Sequence, residues 1–176
     1  CMSVSQMDSA CIPSPLHTLN GKWNLYYHLP HDNNWSLSSY TSIMNSINSV
    51  ENIVGLNEKI NENIVKSCML FVMREGITPM WEDSKNRHGG CFSYKVTNKN
   101  VYEVWKKLFC LLCGETLSEE PENSKYINGI TISPKKNFCI IKIWLSSSEF
   151  QDPNFIVNIN NLPKQGCLFK KHEPEF

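Results

Sequence analysis

The chain has 176 residues, of which 41% are hydrophobic and 19% charged, and 17 basic and 17 acidic side chains give a formal net charge of +0. This length and composition exclude a wholly disordered chain and predict one domain with an apolar core. A neutral charge excludes non-specific coating of nucleic acid, although it permits one local basic site. We expect a monomer with a flexible tail over residues 1–16 and a single domain over residues 17–176.

The first half of the chain predicts a strand, a helix and two further strands. Residues 20–29 (NGKWNLYYHL) are aromatic and partly alternating, which favours a strand. Asn48 or Ser49 then caps a first helix that continues to about residue 60. Residues 68–73 (CMLFVM) and 91–96 (CFSYKV) predict two strands.

The second half begins with a helix over residues 101–114, whose apolar stripe consists of Val101, Trp105, Leu108 and Leu112. Residues 126–132 and 138–145 predict a hairpin, and one more strand is expected near residues 166–171. Strands and helices in this order predict an α+β fold, in which helices cover one face of an antiparallel sheet.

The cysteines and the apolar runs indicate the cellular compartment of the protein and whether it binds a metal ion. Cys110 and Cys113 form the one CxxC among eight cysteines, and no partner pair follows at zinc spacing. We therefore expect reduced thiols in a cytoplasmic protein, with no metal and no other cofactor. No apolar run reaches the roughly 20 residues of a membrane span, and no signal-peptide pattern is present, so no membrane association is expected.

Two tryptophans in polar loops indicate a ligand site. Trp35 (NNWSLSS) and Trp81 (PMWEDSK) have polar neighbours, whereas Trp23 and Trp105 fit apolar patterns typical of a core. Two indoles can sandwich a flat base, and each stack contributes roughly 1–3 kcal/mol. Glu82 can accept two parallel N–H bonds from one edge of guanine, and the combination favours a cationic purine.

Lysines near a third tryptophan are candidates for a phosphate chain. Trp144 and Lys142 lie two residues apart on a predicted strand, so they share one face. Lys135 and Lys136 lie in the predicted hairpin loop. The chain has only two arginines, so a clamp in its second half would use lysine point charges.

The motifs together resemble the eukaryotic translation initiation factor 4E family, which binds the 7-methylguanosine cap of mRNA. The resemblance is carried, in order along the chain, by HTLNGKW (17–23), Trp35, GITPMWEDSKNRHGG (76–90), VWKKLFCLLCGE (104–115) and IKIW (141–144). It implies a single curved antiparallel sheet, with the cap site in the concave face and helices on the convex face. The Asn-, Ile- and Lys-rich composition is typical of an AT-rich genome, such as that of a protist or a large DNA virus.

The resemblance also implies roles for the site residues. Trp35 and Trp81 would stack on the methylated guanine, Glu82 would bind its N1 and N2 groups, and Trp144 would contact the N7-methyl. The Trp81 backbone N–H would meet O6, and Lys142, Lys135 and Lys136 would hold the phosphates.

The chain departs from the family at the positions that bind the phosphates of the cap. Cys91 stands where the family usually has an arginine, Ser133 replaces another, and Ile140 replaces a lysine. Lys142 appears two residues after that position, which indicates a rebuilt clamp.

The family binds a helical Tyr-x-x-x-x-Leu-hydrophobic peptide of a scaffold or repressor on its helical back. Here Val54 replaces a tryptophan, and Lys107 replaces an acid, so we expect a divergent and more acidic partner. The corresponding partner surface is expected at His17, Leu19, Val50, Val54, Lys106, Lys107, Cys110 and Gly114. The family's long third helix is expected to shrink to a short segment over residues 152–162.

The sequence therefore predicts a non-enzymatic initiation factor that recruits capped mRNA. One alternative is a cap-binding repressor that does not engage the usual scaffold. A lower alternative is an RNA-processing enzyme, which would need clustered carboxylates or a metal constellation. The five histidines show no metal-ligand spacing.

Overall fold

A computed structural model describes residues 16–176, and residues 1–15 of the predicted tail lie outside this described part. The described residues form seven β-strands and three α-helices. The strands are β1 (Thr18–His28), β2 (Thr41–Ser49), β3 (Met69–Arg74), β4 (Gly90–Thr97), β5 (Ile127–Pro134), β6 (Phe138–Leu145) and β7 (Leu168–Lys171). The helices are α1 (Val50–Lys59), α2 (Glu62–Ser67) and α3 (Val101–Cys113).

All seven strands form one antiparallel sheet in the order β2-β1-β3-β5-β6-β4-β7. Side chains alternate between the two faces of each strand, so β6 sends Ile141 and Ile143 to one face and Lys142 and Trp144 to the other. The first face carries the main core, and the second face carries a smaller cluster around Trp144.

The main core forms where α3 packs on the sheet. The whole predicted stripe of α3 is buried, and Trp105 is 1% exposed. From the sheet side, Trp23 of β1 is completely buried in the same cluster. The helices therefore cover the convex face, and the predicted α+β fold with a curved antiparallel sheet is confirmed.

Most predicted elements are confirmed, and the exceptions have physical reasons. Ser49 caps α1, since its side chain accepts a hydrogen bond from the backbone N–H of Asn52. Strand β2 and helix α2 were not predicted, because β2 is a mostly exposed edge strand and α2 has only six residues. Within residues 152–162, where only a short remnant of the family's third helix was expected, the structure has a single 3-10 turn, Pro153–Phe155, which begins at a proline.

Arg74, the last residue of β3, forms an ion pair with the loop that follows α3. Its guanidinium lies 4.3 Å from the ring centroid of Trp23 and pairs with the Glu115 carboxylate. It also donates to the backbone oxygen of Ile127 at 2.9 Å. Both members of the ion pair are about three-quarters buried, so each charge depends on the other for its solvation.

We expect the Arg74→Met substitution to lower the free energy of unfolding by about 2–3 kcal/mol, because it leaves Glu115 partly buried without a partner. Urea unfolding followed by tryptophan fluorescence measures the change. The Lys106→Met variant is the control, since it removes one positive charge from a helix-surface pair with Glu103. Equal urea midpoints for the two variants would show that the Arg74 network adds no stability.

Candidate functional site

The concave face of the sheet contains a cavity of about 660 Å³. Its walls come from the loop before β2, the loop between β3 and β4, the strands β3, β5 and β6, and the C-terminal residues after β7. The lining residues are Asn33, Trp35, Ser36, Tyr40, Met69, Phe71, Pro79, Met80, Trp81, Glu82, Thr131, Ser133, Lys142, Trp144, Glu175 and Phe176. The cavity thus brings together all four residues that the sequence predicts for base binding, and one of the three predicted phosphate ligands.

Asn86 organises the loop that carries Trp81 and Glu82. It is completely buried, and its amide group donates to the backbone oxygens of Thr78 at 2.9 Å and Met80 at 2.8 Å. Its side-chain oxygen accepts a bond from the Asn128 amide of β5 at 2.9 Å. Because a buried amide is costly unless its hydrogen bonds are satisfied, these contacts fix one loop conformation.

Asp83 closes the same loop from the other side. Its carboxylate accepts the backbone N–H of Thr78 at 2.7 Å, the Thr78 hydroxyl at 2.9 Å and the Lys85 N–H at 2.8 Å. Desolvation raises the pKa of Asp83, but the bonds from Lys85 and Thr78 outweigh it and leave the pKa below its usual value. Asp83 therefore stays ionised and contributes to the loop, not to the cavity.

Trp35 stacks on a buried histidine. The Trp35 and His28 ring centroids are 4.0 Å apart and their planes differ by 3°. His28 is completely buried at the end of β1, and its ring nitrogens lie 2.9 Å from the Leu29 oxygen and 2.7 Å from the Asn34 oxygen. These bonds hold the Trp35 loop against the strand and leave Trp35 48% exposed on the cavity side.

Trp81 also has a histidine beside it. His172, just after β7, lies 5.8 Å from Trp81 with an interplanar angle of 18°, and 4.9 Å from Trp144. Its Nδ1 donates to the backbone oxygen of Asn86 at 2.6 Å, which joins it to the loop network. Burial lowers the pKa of His172, the Asn86 bond opposes this shift, and the nearby Lys142 charge adds to it. His172 is therefore a neutral ring packed against both tryptophans.

Glu82 and Tyr40 set the electrostatics of the cavity. Burial, followed by the Glu82 charge, raises the pKa of Tyr40 to about 12, so Tyr40 remains a neutral phenol. Within residues 16–176 Glu82 forms no ion pair, and its Oε1 lies 3.5 Å from the Glu175 backbone nitrogen, at the limit of a hydrogen bond. The Glu82 carboxylate is thus available to a donor group in the cavity.

The predicted phosphate lysines separate into two places. Lys142 lines the cavity beside Trp144, whereas Lys135 and Lys136 are exposed at the β5–β6 hairpin and do not line it. A fourth lysine, Lys170 of β7, places its Nζ 5.8 Å from the Trp81 ring centroid. Phosphate contact by any of these lysines stays a prediction.

The predicted partner surface lies on the opposite side of the molecule. Val50 and Val54 are 43% and 51% exposed on α1, and Lys107 and Cys110 are exposed on α3. Lys106 pairs with Glu103 at 3.0 Å. At its edge, His17 pairs with Glu51 at 2.7 Å, Leu19 packs against the core, and Gly114 ends α3.

Several residues that shape the cavity had no predicted role: His28, Tyr40, Asn86, Lys170 and His172. For Asn86 a signal existed, because a polar residue inside a motif rich in turn formers is typical of a loop bridge. The histidines and Lys170 had none, because their contacts join segments far apart in sequence.

In the described part of the chain, no three His, Cys, Asp or Glu side chains are grouped so that they could hold a metal ion. No helix between residues 16 and 176 combines the length and the apolar character that a membrane span needs.

Comparison with known proteins gives concordant matches. The sequence model of the family described as "Eukaryotic initiation factor 4E" matches residues 18–173. A translation initiation factor 4E homolog of Acanthamoeba polyphaga mimivirus is 41% identical over 49% of this chain and 29% of its own length. The initiation factor 4E of Candida glabrata is 31% identical over 76% of this chain and 65% of its own length. The matched regions thus span less than two thirds of these curated relatives.

Solved structures share the fold. The eIF4E-3 of Ascaris suum, solved with the m7G cap, superposes with a TM-score of 0.67 at 22% identity, covering 77% of this chain and 76% of that chain. The eIF4E-3 of C. elegans, solved with the 4E-binding protein Mextli, gives the same TM-score and identity over 76% of this chain and 78% of that chain.

We expect His172 to make stability depend on pH. Because burial lowers its pKa in the folded state, the unfolded chain binds a proton more readily, and stability is lost as the pH falls below about 6.5. The His172→Phe variant keeps an aromatic ring beside Trp81 but cannot titrate, so its unfolding free energy should fall less between pH 7.5 and 5.5. Urea unfolding at both pH values measures the difference.

The exposed His88 offers a matched control, since His88→Gln also removes one imidazole. That variant should keep the wild-type loss of stability. If His172→Phe also keeps it, another group is responsible for the pH dependence.

Proposed function

This chain belongs to the eukaryotic initiation factor 4E family, and from that premise we propose that it binds the 7-methylguanosine cap of mRNA and recruits capped messages to translation. The observation that carries the proposal is one cavity lined by Trp35, Trp81, Glu82 and Trp144. We propose a binding protein that acts in the cytoplasm, not an enzyme.

The base would lie between the two indoles. Each indole has a histidine stacked beside it, and both indoles border the same cavity. N7-methylation gives guanine a positive charge, and a desolvated cation over an aromatic face gains about 2 kcal/mol. A sandwich of two indoles therefore favours the methylated base over the neutral one.

Glu82 would select guanine by its edge. Its carboxylate can accept two parallel N–H bonds from N1 and N2, and no cation in the described residues competes for it. Tyr40, a neutral phenol near Glu82, adds no charge that would offset the attraction. A base without two adjacent donors would leave the carboxylate unpaired in the cavity, which costs about 1–3 kcal/mol or more.

The remaining contacts follow from the predicted arrangement. Trp144 is 5% exposed at the cavity wall, and its ring N–H is already donated to Thr131 at 3.2 Å. Its apolar ring is therefore what it offers to the N7-methyl group. Lys142, two residues earlier on the same face of β6, is the first candidate for the phosphates, with the hairpin residues Lys135 and Lys136 further away.

We expect the wild-type protein to bind 7-methylguanosine triphosphate about 30-fold more tightly than GTP, as about 2 kcal/mol of cation–π attraction implies. Glu82→Gln should weaken binding about 100-fold, because the amide replaces a charged double acceptor with one neutral acceptor. Trp81→Ala should have a comparable effect, because one stacking wall is removed. Quenching of intrinsic fluorescence measures all three affinities.

The exposed Glu119 provides a matched control, since Glu119→Gln makes the same change of charge in the loop after α3. It should bind like the wild type. Equal wild-type affinity for the methylated and unmethylated nucleotides would refute the proposed function.

A second candidate function is that of a cap-binding repressor, and the helical back favours it. The surface that would hold a scaffold peptide exposes the small side chain of Val54 at the position where the family has a tryptophan, and Val50 is exposed beside it. Beside them Lys107 is exposed and has no carboxylate within 4.0 Å in residues 16–176. We propose that the partner is an amphipathic helix with acidic residues facing Lys107.

We expect a helical Tyr-x-x-x-x-Leu peptide with acidic flanks to bind more tightly than the same peptide with basic flanks. Lys107→Glu should reverse this order, because complementary charge sets partner choice at such a rim. Lys136→Glu, on the distant hairpin, is the control for net charge. Fluorescence anisotropy of labelled peptides measures the order, and tight binding of the basic peptide by the wild type would contradict the acidic partner.

A further inference from the structure

A row of three paired residues crosses the concave face beside the cavity. In the sheet, Trp144 of β6 lies opposite Cys91 of β4, and Cys91 lies opposite Lys170 of β7. Residues directly opposite each other in an antiparallel sheet point to the same face. Lys170 therefore shares the face of Trp144 and Lys142, although it lies 28 residues after Lys142 in the chain.

A glycine at position 90 allows β7 to lie this close. A Cβ atom on Gly90 would be 2.5 Å from the Phe169 ring and 2.6 Å from the Lys170 backbone oxygen, so a side chain there would push β7 away. Next to it, the Gly89 oxygen accepts the His172 N–H at 3.0 Å. Gly90 thus admits β7, and the backbone bond from His172 to Gly89 continues the pairing that sets Lys170 opposite Cys91.

Lys142 and Lys170 lie on either side of Cys91 in the sheet, because Lys170 pairs with Cys91 and Lys142 pairs with Ser93, two residues further along β4. Burial raises the pKa of the Cys91 thiol, and the positive charges of both lysines act against that shift. In residues 16–176 neither lysine has a carboxylate within 4.0 Å. An anionic ligand between them would supply the counter-ion that both ammonium groups lack within the described residues.

The separation of the two lysines fits a phosphate chain. They stand two strands apart, about 10 Å across the sheet, and are offset by two residues, about 7 Å along it. Cys91 lies between them in the sheet and, as a buried neutral thiol, adds no negative charge that would pair with either lysine. Two flexible lysine side chains can reach one oligophosphate from opposite sides of this gap.

We propose that Lys170 and Lys142 form the phosphate clamp of the cap, so that the edge strand β7 supplies the cation that is missing at Cys91. This inference rests on the proposed function, because the same nucleotide must place its base between Trp35 and Trp81. The clamp replaces the predicted role of the hairpin lysines, Lys135 and Lys136. Neither they nor Lys170 line the cavity, but the Lys170 ammonium lies 5.8 Å from the ring centroid of the cavity residue Trp81.

A different role for Lys170 would be to act on the base. Its Nζ lies 5.8 Å from the Trp81 ring centroid, within the range of a cation–π contact. In that role it would influence the stacking of any methylated guanine, with or without phosphates. The two roles are separated by comparing ligands that differ only in the phosphate chain.

The experiment measures the affinities of 7-methylguanosine triphosphate and of the 7-methylguanosine nucleoside for Lys170→Met, at several salt concentrations. Lys171→Met is the matched control, because Lys171 is the next residue, carries the same charge and pairs with Gly90 on the opposite face. Lys170→Arg tests whether charge alone suffices. A thermal melt of each variant verifies that it is folded.

We expect Lys170→Met to weaken triphosphate binding about fivefold to tenfold and to leave nucleoside binding unchanged. The slope of log affinity against log salt should become shallower by about one for each phosphate that the variant no longer neutralises. Lys171→Met should behave like the wild type, and Lys170→Arg should retain most of the affinity.

Three results would overturn the clamp. An equal loss of affinity for nucleoside and triphosphate would show that Lys170 acts on the base or on the stability of the fold. Equal effects of Lys170→Met and Lys171→Met would show that only the net charge of the protein affects binding. If the wild type shows no preference for the methylated triphosphate over GTP, the proposed function fails and the clamp fails with it. Either of the first two results leaves that preference intact, so the two failures are distinguishable.

Discussion

The buried amide of Asn86 is the interaction on which the rest of the site depends. Its side chain holds the Thr78 and Met80 oxygens, accepts a bond from Asn128 of β5, and its backbone oxygen accepts a bond from His172. One residue thus connects the Trp81 loop, the middle of the sheet and the segment after β7. No water can replace a hydrogen bond at a completely buried amide, so the loss of any of these bonds would raise the free energy of the folded loop.

The two aromatic walls are held in place in a similar way. A sandwich gains affinity only if the indoles are already held apart at the distance of a base, since ordering two loops on binding consumes part of the stacking energy. His28 supports Trp35 from the end of β1, and His172 lies beside Trp81 from the end of β7. Each histidine is buried and bonded to backbone oxygen. Trp35 and Trp81, the proposed walls, are therefore each supported by a histidine at the end of a strand.

The sequence predicted features that are encoded in neighbouring residues, and it missed features that depend on contacts between distant segments. Trp35, Trp81 and Glu82 stood out because large rings and an acid in polar loops conflict with simple packing, and β6 was predicted with its observed bounds because its residues are apolar and β-branched. Strand β2 (TSIMNSINS) was missed because an edge strand can be polar on both faces, and its register is interrupted by bulges. Lys170 could not be found because its place depends on the pairing of β7 with β4, which no local pattern encodes.

The pairing of β7 with β4 links the two halves of the proposed site. Strand β7 carries Lys170 toward the phosphate region, and the residue two positions later, His172, packs against Trp81. Gly90 admits this strand, and the Gly89 backbone oxygen accepts the His172 N–H, so one close backbone contact positions a cation and an aromatic support together. The proposed partner surface on α1 and α3 lies across the sheet and shares none of these contacts. Substitutions on α1 and α3 can therefore accumulate without disturbing Lys170 or His172, whereas a substitution that shifts β7 moves both of these side chains together.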